Sequence, residues 1–460
     1  GVFSNRDCVD DLFYGTDYHS HLGTKRGGLA VKNSGGFQRF IKNITKSQFR
    51  SKFDKDIKKM HGNKGIGVIS DYEDQPLIIS SRLGVFALST VGKINNIEEL
   101  ASEALQNGTH FSEMHGGEIN PTEMVATIIS QGNTFKEGIQ KAQNMIDGSC
   151  TMLILTDGGI YAARDKFGRT PLIIGEKLGS FAVAMESCAF PNLGYEITKY
   201  MGPGEIIFID ETGIKQIVPQ GDRLQICAFL WVYYGYPASN YEGINVESVR
   251  YKCGAYLRRD DDLEIDLVAG IPDSGTAHGL GYANEAHIPY VRPFVKYTPT
   301  WPRSFMPQEQ SIRDTVARMK LIPIKELILD KRLLFCEDSI VRGTQLRRQV
   351  ERLFESGAKE VHMRPACPPL VYGCKFLNFS RSRSELDLAG RWAIKELIGR
   401  DLKNPTEYIN PESDNYKAMV EVIRKRLHLT TLKYQRLENL VKAIGLPKEK
   451  LCTYCWDGVE

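Results

Sequence analysis

The chain has 460 residues and a mass of 51.8 kDa, too long for one hydrophobic core, so we expect two domains. Apolar residues make up 42% and charged residues 25%, an ordinary globular composition that excludes a mostly disordered or fibrous chain. The net charge of +3 argues against a nucleic-acid binder that works through a basic surface, and a mean hydropathy of −0.29 argues against a membrane protein.

Two features of the sequence bear on its cellular setting. Residues 1–8 lack the basic and apolar segments of a secretory signal, so we predict a cytoplasmic protein without a membrane span. Ten cysteines are too few for a disulfide scaffold in a chain of this length, and most are expected to be buried thiols or ligands. The exception is Cys452 with Cys455, whose Cys-x-x-Cys spacing is typical of metal ligands or of a redox pair.

The first half of the chain, to about residue 225, contains short apolar runs separated by Gly, Asn and Asp turns. Strands are predicted by the runs at 65–70, 84–89, 150–155 and 180–185. Turn signals at 157–159 and 211–213 predict hairpins, and helical patterns lie at 96–106 and 123–131. Many hairpin-linked strands with a few helices predict sheets that pack on one another and are covered by helices.

The second half changes character near Leu224. Residues 267–275 and 332–338 are apolar runs that end in polar or Gly-rich turns, and helical patterns follow at 276–286 and 346–356. This alternation predicts a parallel sheet whose ligand lies outside the carboxyl ends of the strands. Residues 401–460 are predicted to form a polar helical tail.

The strongest signal is the run at 333–344, in which a buried strand delivers two adjacent acids to a Ser-, Gly- and Thr-rich loop that opens a helix. Backbone N–H groups at a helix start bind phosphate, Ser339 and Thr344 add hydroxyl donors, and Gly343 permits close approach. Glu337 and Asp338 are placed to hold ribose hydroxyls or Mg²⁺ on a pyrophosphate. The alternative is a pair of strand-end acids that caps a helix.

The segment Glu-Asp-Ser-Ile-Val-Arg-Gly-Thr at 337–344 closely resembles the loop that binds phosphoribosyl pyrophosphate in amidophosphoribosyltransferases, the first committed enzymes of purine synthesis. The usual loop carries two aspartates, so Glu337 is a conservative departure. The resemblance implies that Val341 also lies against the substrate. It further implies a second phosphate-side loop at Asp273, Ser274 and Gly275.

The resemblance also implies a lid, to which Lys296, Arg303, Ser304 and Phe305 fit, with Ser304 approaching Mg²⁺. The lid sequence at 297–302 departs from the family's usual one. In the family's reaction ammonia displaces pyrophosphate from the ribose C1, which requires Mg²⁺ and cationic side chains around the leaving group. Lys296, Arg303 and Arg342 are the candidate cations; the alternative for Lys296 and Arg303 is a solvent-facing surface position.

Cofactor ligands follow from the same resemblance. Family members with a [4Fe-4S] cluster take ligands from the start of the second domain, from a loop after the phosphate-loop helix, and from a C-terminal Cys-x-x-Cys. The corresponding residues are Cys227, Cys374, Cys452 and Cys455. Four soft thiolates suit iron–sulfur or zinc, and the alternative is four unrelated buried thiols.

Four segments of the first half, at 1–3, 163–172, 186–189 and 202–206, resemble the scaffold of an N-terminal-nucleophile glutaminase. The fold implied is an α+β, four-layer αββα glutamine amidotransferase-like domain, followed by an α/β type I phosphoribosyltransferase domain with a parallel sheet. The predicted boundaries are 1–225 for the first domain, 226–400 for the second and 401–460 for a helical tail that carries the Cys-x-x-Cys pair.

The catalytic parts of such a glutaminase are altered here. The chain begins at Gly1 where the family has a nucleophilic cysteine followed by glycine, which a missing first residue would explain. The oxyanion-hole Asn-Gly corresponds to Val91-Gly92, and losing one such donor costs about 10²–10³ in rate. The arginine that clamps the glutamine carboxylate corresponds to Ser70 or Asp71, and the aspartate that holds its amine to Pro121. Cys8 is a poor substitute nucleophile, because it has no evident base. From these departures together we predict that this half does not hydrolyse glutamine.

Three hypotheses remain open at this stage. The first is an amidophosphoribosyltransferase-type enzyme that takes ammonia rather than glutamine to phosphoribosyl pyrophosphate. The second is a non-catalytic relative that binds phosphoribosyl pyrophosphate or a nucleotide and regulates another process. The third keeps the family's full reaction and attributes the absent cysteine to a truncated sequence. The resemblance also implies a homodimer or homotetramer, while charge and hydropathy predict neither a nucleic-acid nor a membrane partner.

Overall fold

The computed structural model describes residues 1–112, 117–297, 321–378 and 385–460, together with the backbone of 114 and 115. The strands of the first half are β1 (Val2–Ser4), β2 (Arg26–Asn33), β3 (Gly36–Asn43), β4 (Lys64–Ser70), β5 (Leu77–Ser81), β6 (Gly84–Ile94), β7 (Met114–His115), β8 (Glu118–Ile119), β9 (Gly148–Leu155), β10 (Ile160–Ala163), β11 (Ile173–Lys177), β12 (Ser180–Ala184), β13 (Glu196–Tyr200), β14 (Ile206–Asp210) and β15 (Gly213–Val218). Its helices are α1 (Val9–Asp17), α2 (Phe49–Ile57), α3 (Ile97–Gln106), α4 (Pro121–Ser130), α5 (Phe135–Met145) and α6 (Ala189–Leu193).

Thirteen of these strands form two antiparallel sheets, and β7 pairs with β8 separately. A seven-stranded sheet has the order β13-β11-β12-β1-β4-β2-β3, and a six-stranded sheet has the order β15-β14-β10-β9-β6-β5. The hairpins predicted at 157–159 and 211–213 are confirmed, since they connect β9 to β10 and β14 to β15. The predicted strands and helices of this half are present, with ends shifted by a few residues.

Three layers of apolar side chains hold the two sheets and their helices together. Phe3, Ala30 and Leu155 belong to a core between the two sheets. Met124 and Ile139 join α4 and α5 to the six-stranded sheet, while α1 packs on the seven-stranded sheet through a separate core. The predicted four-layer αββα arrangement is therefore confirmed.

The second half alternates strands and helices as predicted. Its strands are β16 (Ile226–Cys227), β17 (Asn240–Tyr241), β18 (Ile244–Asn245), β19 (Leu267–Gly270), β20 (Phe294–Lys296), β21 (Leu321–Pro323), β22 (Arg332–Glu337), β23 (Glu360–Pro365), β24 (Thr431–Leu432) and β25 (Leu451–Cys452). Its helices are α7 (Val246–Arg259), α8 (Thr276–Ala286), α9 (Lys325–Ile328), α10 (Thr344–Glu355), α11 (Ala389–Ile398), α12 (Asp414–Arg426), α13 (Leu437–Ile444) and α14 (Tyr454–Asp457). A π-helical turn at Leu230–Tyr234 follows β16.

The central sheet of this half has the order β19-β22-β23-β24, and every neighbouring pair is parallel. The predicted parallel sheet and helical C-terminal region are confirmed. No helix among the described residues is long and apolar enough to cross a membrane. The boundaries at 225 and 400 remain predictions.

Two glycines allow the loop after β19 to lie against β22. A Cβ atom on Gly275 would lie 2.1 Å from the backbone oxygen of Cys336, and one on Gly270 would lie 2.4 Å from the backbone oxygen of Gly275. Both distances are shorter than any ordinary contact, so only glycine permits this approach. The loop at 271–275 is thereby held beside the carboxyl end of β22.

We expect Gly275→Ala to destabilise the protein by about 1–3 kcal/mol, because the added methyl group must displace the backbone of β22. Gly221→Ala is the matched control, since its Cβ would meet nothing closer than 3.7 Å. Thermal unfolding of both variants checks the prediction. Equal stability of the two variants would contradict it.

Candidate active site

The two adjacent acids lie where the sequence predicts, at the carboxyl end of the central strand β22. The Ser274 hydroxyl donates to Glu337 Oε1 at 2.6 Å, so the loop after β19 contacts the first acid directly. The backbone N–H of Asp338 donates to the same oxygen at 3.1 Å, and the Ser339 hydroxyl donates to Asp338 Oδ1 at 2.5 Å. Ser274, Glu337, Asp338 and Ser339 thus form one connected polar group.

The electrostatics of this group are unfavourable to full ionisation. Burial raises the pKa of Glu337 well above its usual range, and repulsion from Asp338 raises it further. Burial also raises the pKa of Asp338, although hydrogen bonds from neighbouring side chains and the charge of Arg250 oppose the rise. A bound cation would remove the mutual repulsion, because it stabilises both carboxylates at once.

The loop after these acids ends in a left-handed glycine at the start of a helix. Gly343 has a φ of 78°, a left-handed conformation that suits glycine, and α10 begins at the next residue, Thr344. The carbonyl of Val341 accepts from the backbone N–H of Ala389, which fastens the loop to α11. The loop therefore leads directly into a helix N-terminus, where phosphate groups are favoured.

The predicted cations have different positions. Lys296, at the end of β20, forms an ion pair with Asp273 at 2.5 Å and so lies beside the 271–275 loop. Arg342 forms an ion pair with Asp387 at 3.1 Å. Arg303, Ser304 and Phe305 of the expected lid lie outside the described residues.

Sequence reasoning missed one buried cation near the acids. Arg250 of α7 is buried, and its guanidinium donates to the carbonyl oxygens of Trp231, Tyr233 and Gly235 at 2.8–3.0 Å. Its charge favours the ionised form of Asp338. The sequence did contain a signal that Arg250 is buried, because it lies on the same face of α7 as the apolar residues. These are spaced as one helical face requires and are Val246, Val249, Cys253 and Leu257.

A separate cavity of about 160 Å³ lies in the first half, between α1, α6 and the two sheets. Its walls are largely apolar and include Ile69, Val91, Met152, Leu153, Met185 and Phe190. Val91 occupies the position at which the resemblance expects an oxyanion donor. The valine side chain offers no such donor.

Two of the polar side chains that line this cavity, Asp11 and His19, are paired within the protein. Asp11 accepts from the Tyr195 hydroxyl at 2.8 Å and forms an ion pair with Lys177 at 2.7 Å. His19 accepts from the backbone N–H of Glu186 through Nε2 and bonds the carbonyl of Gly15 through Nδ1, which describes a neutral ring. Burial lowers the pKa of His19 to about 4, in agreement with that neutral state.

The two positions expected to bind the glutamine zwitterion have other tasks. Asp71 accepts from the backbone N–H and the hydroxyl of Thr24 at 2.6 and 3.1 Å. Pro121 is the first residue of α4, where a missing N–H costs nothing, and Asn120 caps that helix by accepting from Thr122. Cys8 is buried, and burial raises its pKa to about 12, which makes it a poor nucleophile.

The structure brings the four predicted ligand cysteines together from three distant segments. β16 and β25 are parallel and place Cys227 opposite Cys452. The Cys455 thiol donates to the sulfur of Cys374, which lowers the pKa of Cys374 to about 6. Burial raises the pKa of Cys227 well above its usual range, and neighbouring Cys452 raises it further.

The donor set fits an iron–sulfur cluster in chemical type, since all four residues are thiols. None of the ten cysteines forms a disulfide, and the backbone N–H of Leu377 donates to the sulfur of Cys374 at 3.3 Å. Aromatic residues close in sequence to these cysteines contact one another: the ring centres of Phe229 and Trp456 are 5.7 Å apart, and those of Phe376 and Tyr454 are 5.5 Å apart. Within the described residues, no group of three or more His, Cys, Asp or Glu side chains has the arrangement of a formed metal site.

Comparisons with known proteins agree with both halves of this structure. The sequence profile described as glutamine amidotransferase domain matches residues 64–192. The solved structure of glutamine phosphoribosylpyrophosphate amidotransferase from Bacillus subtilis superposes with a TM-score of 0.86 at 27% identity, covering 100% of this chain and 96% of that one. The amidophosphoribosyltransferase of Methanocaldococcus jannaschii is 29% identical over 486 residues, covering 100% of this chain and 96% of the relative.

A closer sequence match decides the assignment. The amidophosphoribosyltransferase of Archaeoglobus fulgidus is 31% identical over 356 residues, which cover 75% of this chain and 77% of the relative. The chain belongs to the amidophosphoribosyltransferase family. This membership confirms the resemblance drawn from residues 337–344. Amidophosphoribosyltransferases are pentosyltransferases of purine biosynthesis.

The raised pKa of Glu337 predicts a pH-dependent effect of Glu337→Gln on stability in metal-free buffer. A carboxyl group whose pKa is higher in the folded protein stabilises the fold when protonated, and this contribution is lost as the pH rises. Glutamine cannot ionise. We therefore expect the variant to gain thermal stability over the unsubstituted protein as the pH rises above the usual carboxyl range.

Asp266→Asn is the control with the opposite sign. A hydrogen bond from Arg332 lowers the pKa of Asp266, so its contribution is present near neutral pH and lost as the pH falls. We expect this variant to be the less stable one near neutral pH, with the difference vanishing in acid. Melting midpoints measured across the pH range check both signs, and a pH-independent difference for Glu337→Gln would contradict the prediction.

Proposed function

We propose that this amidophosphoribosyltransferase transfers ammonia, rather than glutamine nitrogen, to phosphoribosyl pyrophosphate. The nitrogen of ammonia bonds to the ribose C1, the bond from C1 to the pyrophosphate oxygen breaks, and a proton leaves the new amine. The products are phosphoribosylamine and pyrophosphate. The observation that carries the proposal is the contrast between two adjacent acids at the end of β22 and a first-half cavity in which the described side chains of Asp11 and His19 are paired or neutral.

The substrate side of the proposal assigns roles to residues of the second half. Glu337 and Asp338 bind the ribose hydroxyls or the metal, and the loop from Ser339 to Thr344, including Val341 and Gly343, receives the 5-phosphate. The loop at 273–275 and Lys296 lie beside the pyrophosphate. Support comes from the bond between Ser274 and Glu337, which places both loops at one point. Arg342, Arg303 and Ser304 keep their predicted roles in this proposal.

Magnesium fits this site because two carboxylates offer the hard oxygen ligands that the ion prefers. When bound, Mg²⁺ neutralises the charge that develops on the departing pyrophosphate. Glu337 and Asp338 would hold it, with Ser304 from the lid as the further predicted ligand. The raised pKa values of both acids support a cation at this point.

The use of ammonia follows from the chemistry of the first-half cavity. A glutamine zwitterion carries one carboxylate and one ammonium group, and burying either without a partner is costly. Among the described residues that line the cavity, Asp11 is already paired with Lys177, and His19 is neutral. Ammonia is small and uncharged, and it needs none of these partners.

We also propose that Cys227, Cys374, Cys452 and Cys455 hold a [4Fe-4S] cluster. Their convergence from three segments supports it, as do the donor types. The cluster would connect the start of the second half to the C-terminal tail. A cytoplasmic location and assembly into a homo-oligomer remain predictions.

The assay that tests the reaction mixes the protein with Mg²⁺, phosphoribosyl pyrophosphate and ammonium at mildly alkaline pH and follows pyrophosphate. We expect release that requires ammonium and that glutamine does not support. Asp338→Asn should abolish release, because the site loses one of its two carboxylates. Asp266→Asn, at the opposite end of β19, should retain activity.

Two outcomes would contradict this proposal. Glutamate release from glutamine at a rate comparable to pyrophosphate release would show a working glutaminase. Tight binding of phosphoribosyl pyrophosphate without ammonium-dependent turnover would favour the regulatory alternative, for which the loss of glutamine-binding charges is the favourable observation.

The cluster is tested by anaerobic purification, a visible absorption spectrum, and iron and sulfide analysis. We expect a brown protein with about four iron atoms per chain, as a [4Fe-4S] cluster requires. Cys455→Ser should lower the iron content, whereas Cys150→Ala, which removes a buried thiol from β9, should not. A folded, colourless protein that contains zinc or no metal would contradict the iron–sulfur assignment.

A further inference from the structure

Arg169 of the first half is placed among the three cysteine-bearing segments of the second half. It lies between β10 and β11 and is only 3% exposed. Its backbone carbonyl accepts from the backbone N–H of Cys227 at 3.0 Å. The first contact is therefore with the segment that begins the second half.

The guanidinium of Arg169 reaches a second segment. Its Nη1 donates to the sulfur of Cys452 at 2.9 Å, and its Nη2 donates to Gln225 Oε1 at 3.2 Å. The hydrogen bond to Gln225, two residues before Cys227, fixes the orientation of the planar group. A planar fork of this kind holds two acceptors in a defined geometry, which lysine cannot do.

The third contact is with the segment of Cys374. The guanidinium carbon of Arg169 lies 3.2 Å from the centre of the Phe376 ring, a close cation–π contact. Phe376 precedes Leu377, whose backbone N–H donates to the sulfur of Cys374. One side chain thus touches all three segments that carry the cysteines.

One donor of Arg169 has no partner among the residues that the structure describes. Its Nε–H is buried and makes no hydrogen bond to any of the described residues. A buried N–H of a charged group is costly when unpaired, so its presence beside four thiols points to an acceptor supplied by what they bind. The sulfide ions of an iron–sulfur cluster are acceptors of that kind.

We propose that Arg169 is a positioning residue for the cysteine cluster, holding its three segments in place and donating N–H groups to its sulfur atoms. The inference rests on the iron–sulfur cluster proposed above. Arg169 is not a ligand, and it belongs to the glutaminase-like half. That half, without its hydrolytic chemistry, would then retain a task in maintaining the cofactor of the other half.

Two measurable consequences follow. Residues that orient metal ligands typically contribute about 10- to 100-fold to metal retention, so loss of Arg169 should speed the loss of iron on the order of tenfold. Hydrogen bonds and positive charge at the sulfur atoms favour the reduced, more negative cluster. Removal of Arg169 should therefore also lower the reduction potential.

The test compares Arg169→Met, Arg169→Lys and Arg223→Met in the full chain, purified without oxygen. Arg223 is the matched control, because the guanidinium groups of Arg169 and Arg223 lie 5.6 and 4.9 Å from the centre of the same Phe167 ring, but the Arg223 side chain is exposed. Iron release to a chelator in air and a spectroscopic redox titration are the two measurements. We expect Arg169→Met to lose iron faster and to have a lower potential, Arg169→Lys to be intermediate, and Arg223→Met to match the unsubstituted protein.

Unchanged iron release and potential in Arg169→Met would overturn the proposal while leaving the cluster itself in place. Where Arg169→Met does not fold, Arg169→Lys decides, because it keeps the charge and loses the planar fork. An unsubstituted protein without iron would overturn the cluster first and this inference with it. The two failures are therefore distinguishable.

Discussion

Glu337 and Asp338 stand next to each other at the carboxyl end of β22, where burial and mutual repulsion oppose their ionisation. The surrounding structure reduces this cost only in part, through the Ser274 hydroxyl and the charge of Arg250. The free-energy cost of ionisation that remains favours the binding of a cation, because two carboxylates that repel each other attract a cation strongly. The parallel sheet, the close-approach glycines and the buried arginine all act to keep that pair in place.

Local sequence predicted this part of the site well. The apolar run of β22 ends at two acids, and the turn after β19 carries Asp273 and Ser274, so both loops were expected at one edge of the sheet. Sequence could not supply the order of the strands, and the contact between Ser274 and Glu337 exists because β19 and β22 are neighbours. Arg250 was missed because a charged residue on a helix is more often a solvated one.

The first half combines the architecture of a glutamine amidotransferase domain with a largely apolar cavity. Two sheets and their helices match a glutamine amidotransferase domain, yet the cavity between them is lined by Val91, Met152 and Phe190. The prediction that Val91 and Pro121 do not bind glutamine rests on residue identity alone. The pairing of Asp11 with Lys177 and the neutral state of His19 depend on contacts between distant segments, which no local pattern contains.

The parallel pairing of β16 with β25 has a consequence for biosynthesis. Cys227 and Cys452 are opposite each other but more than two hundred residues apart along the chain. At a translation rate of about 5–20 residues per second, roughly 10–45 s pass between the synthesis of Cys227 and the synthesis of Cys452. The β16 edge is uncovered during that interval, so the nascent chain needs shielding from oxidation and from pairing with other strands until the tail arrives.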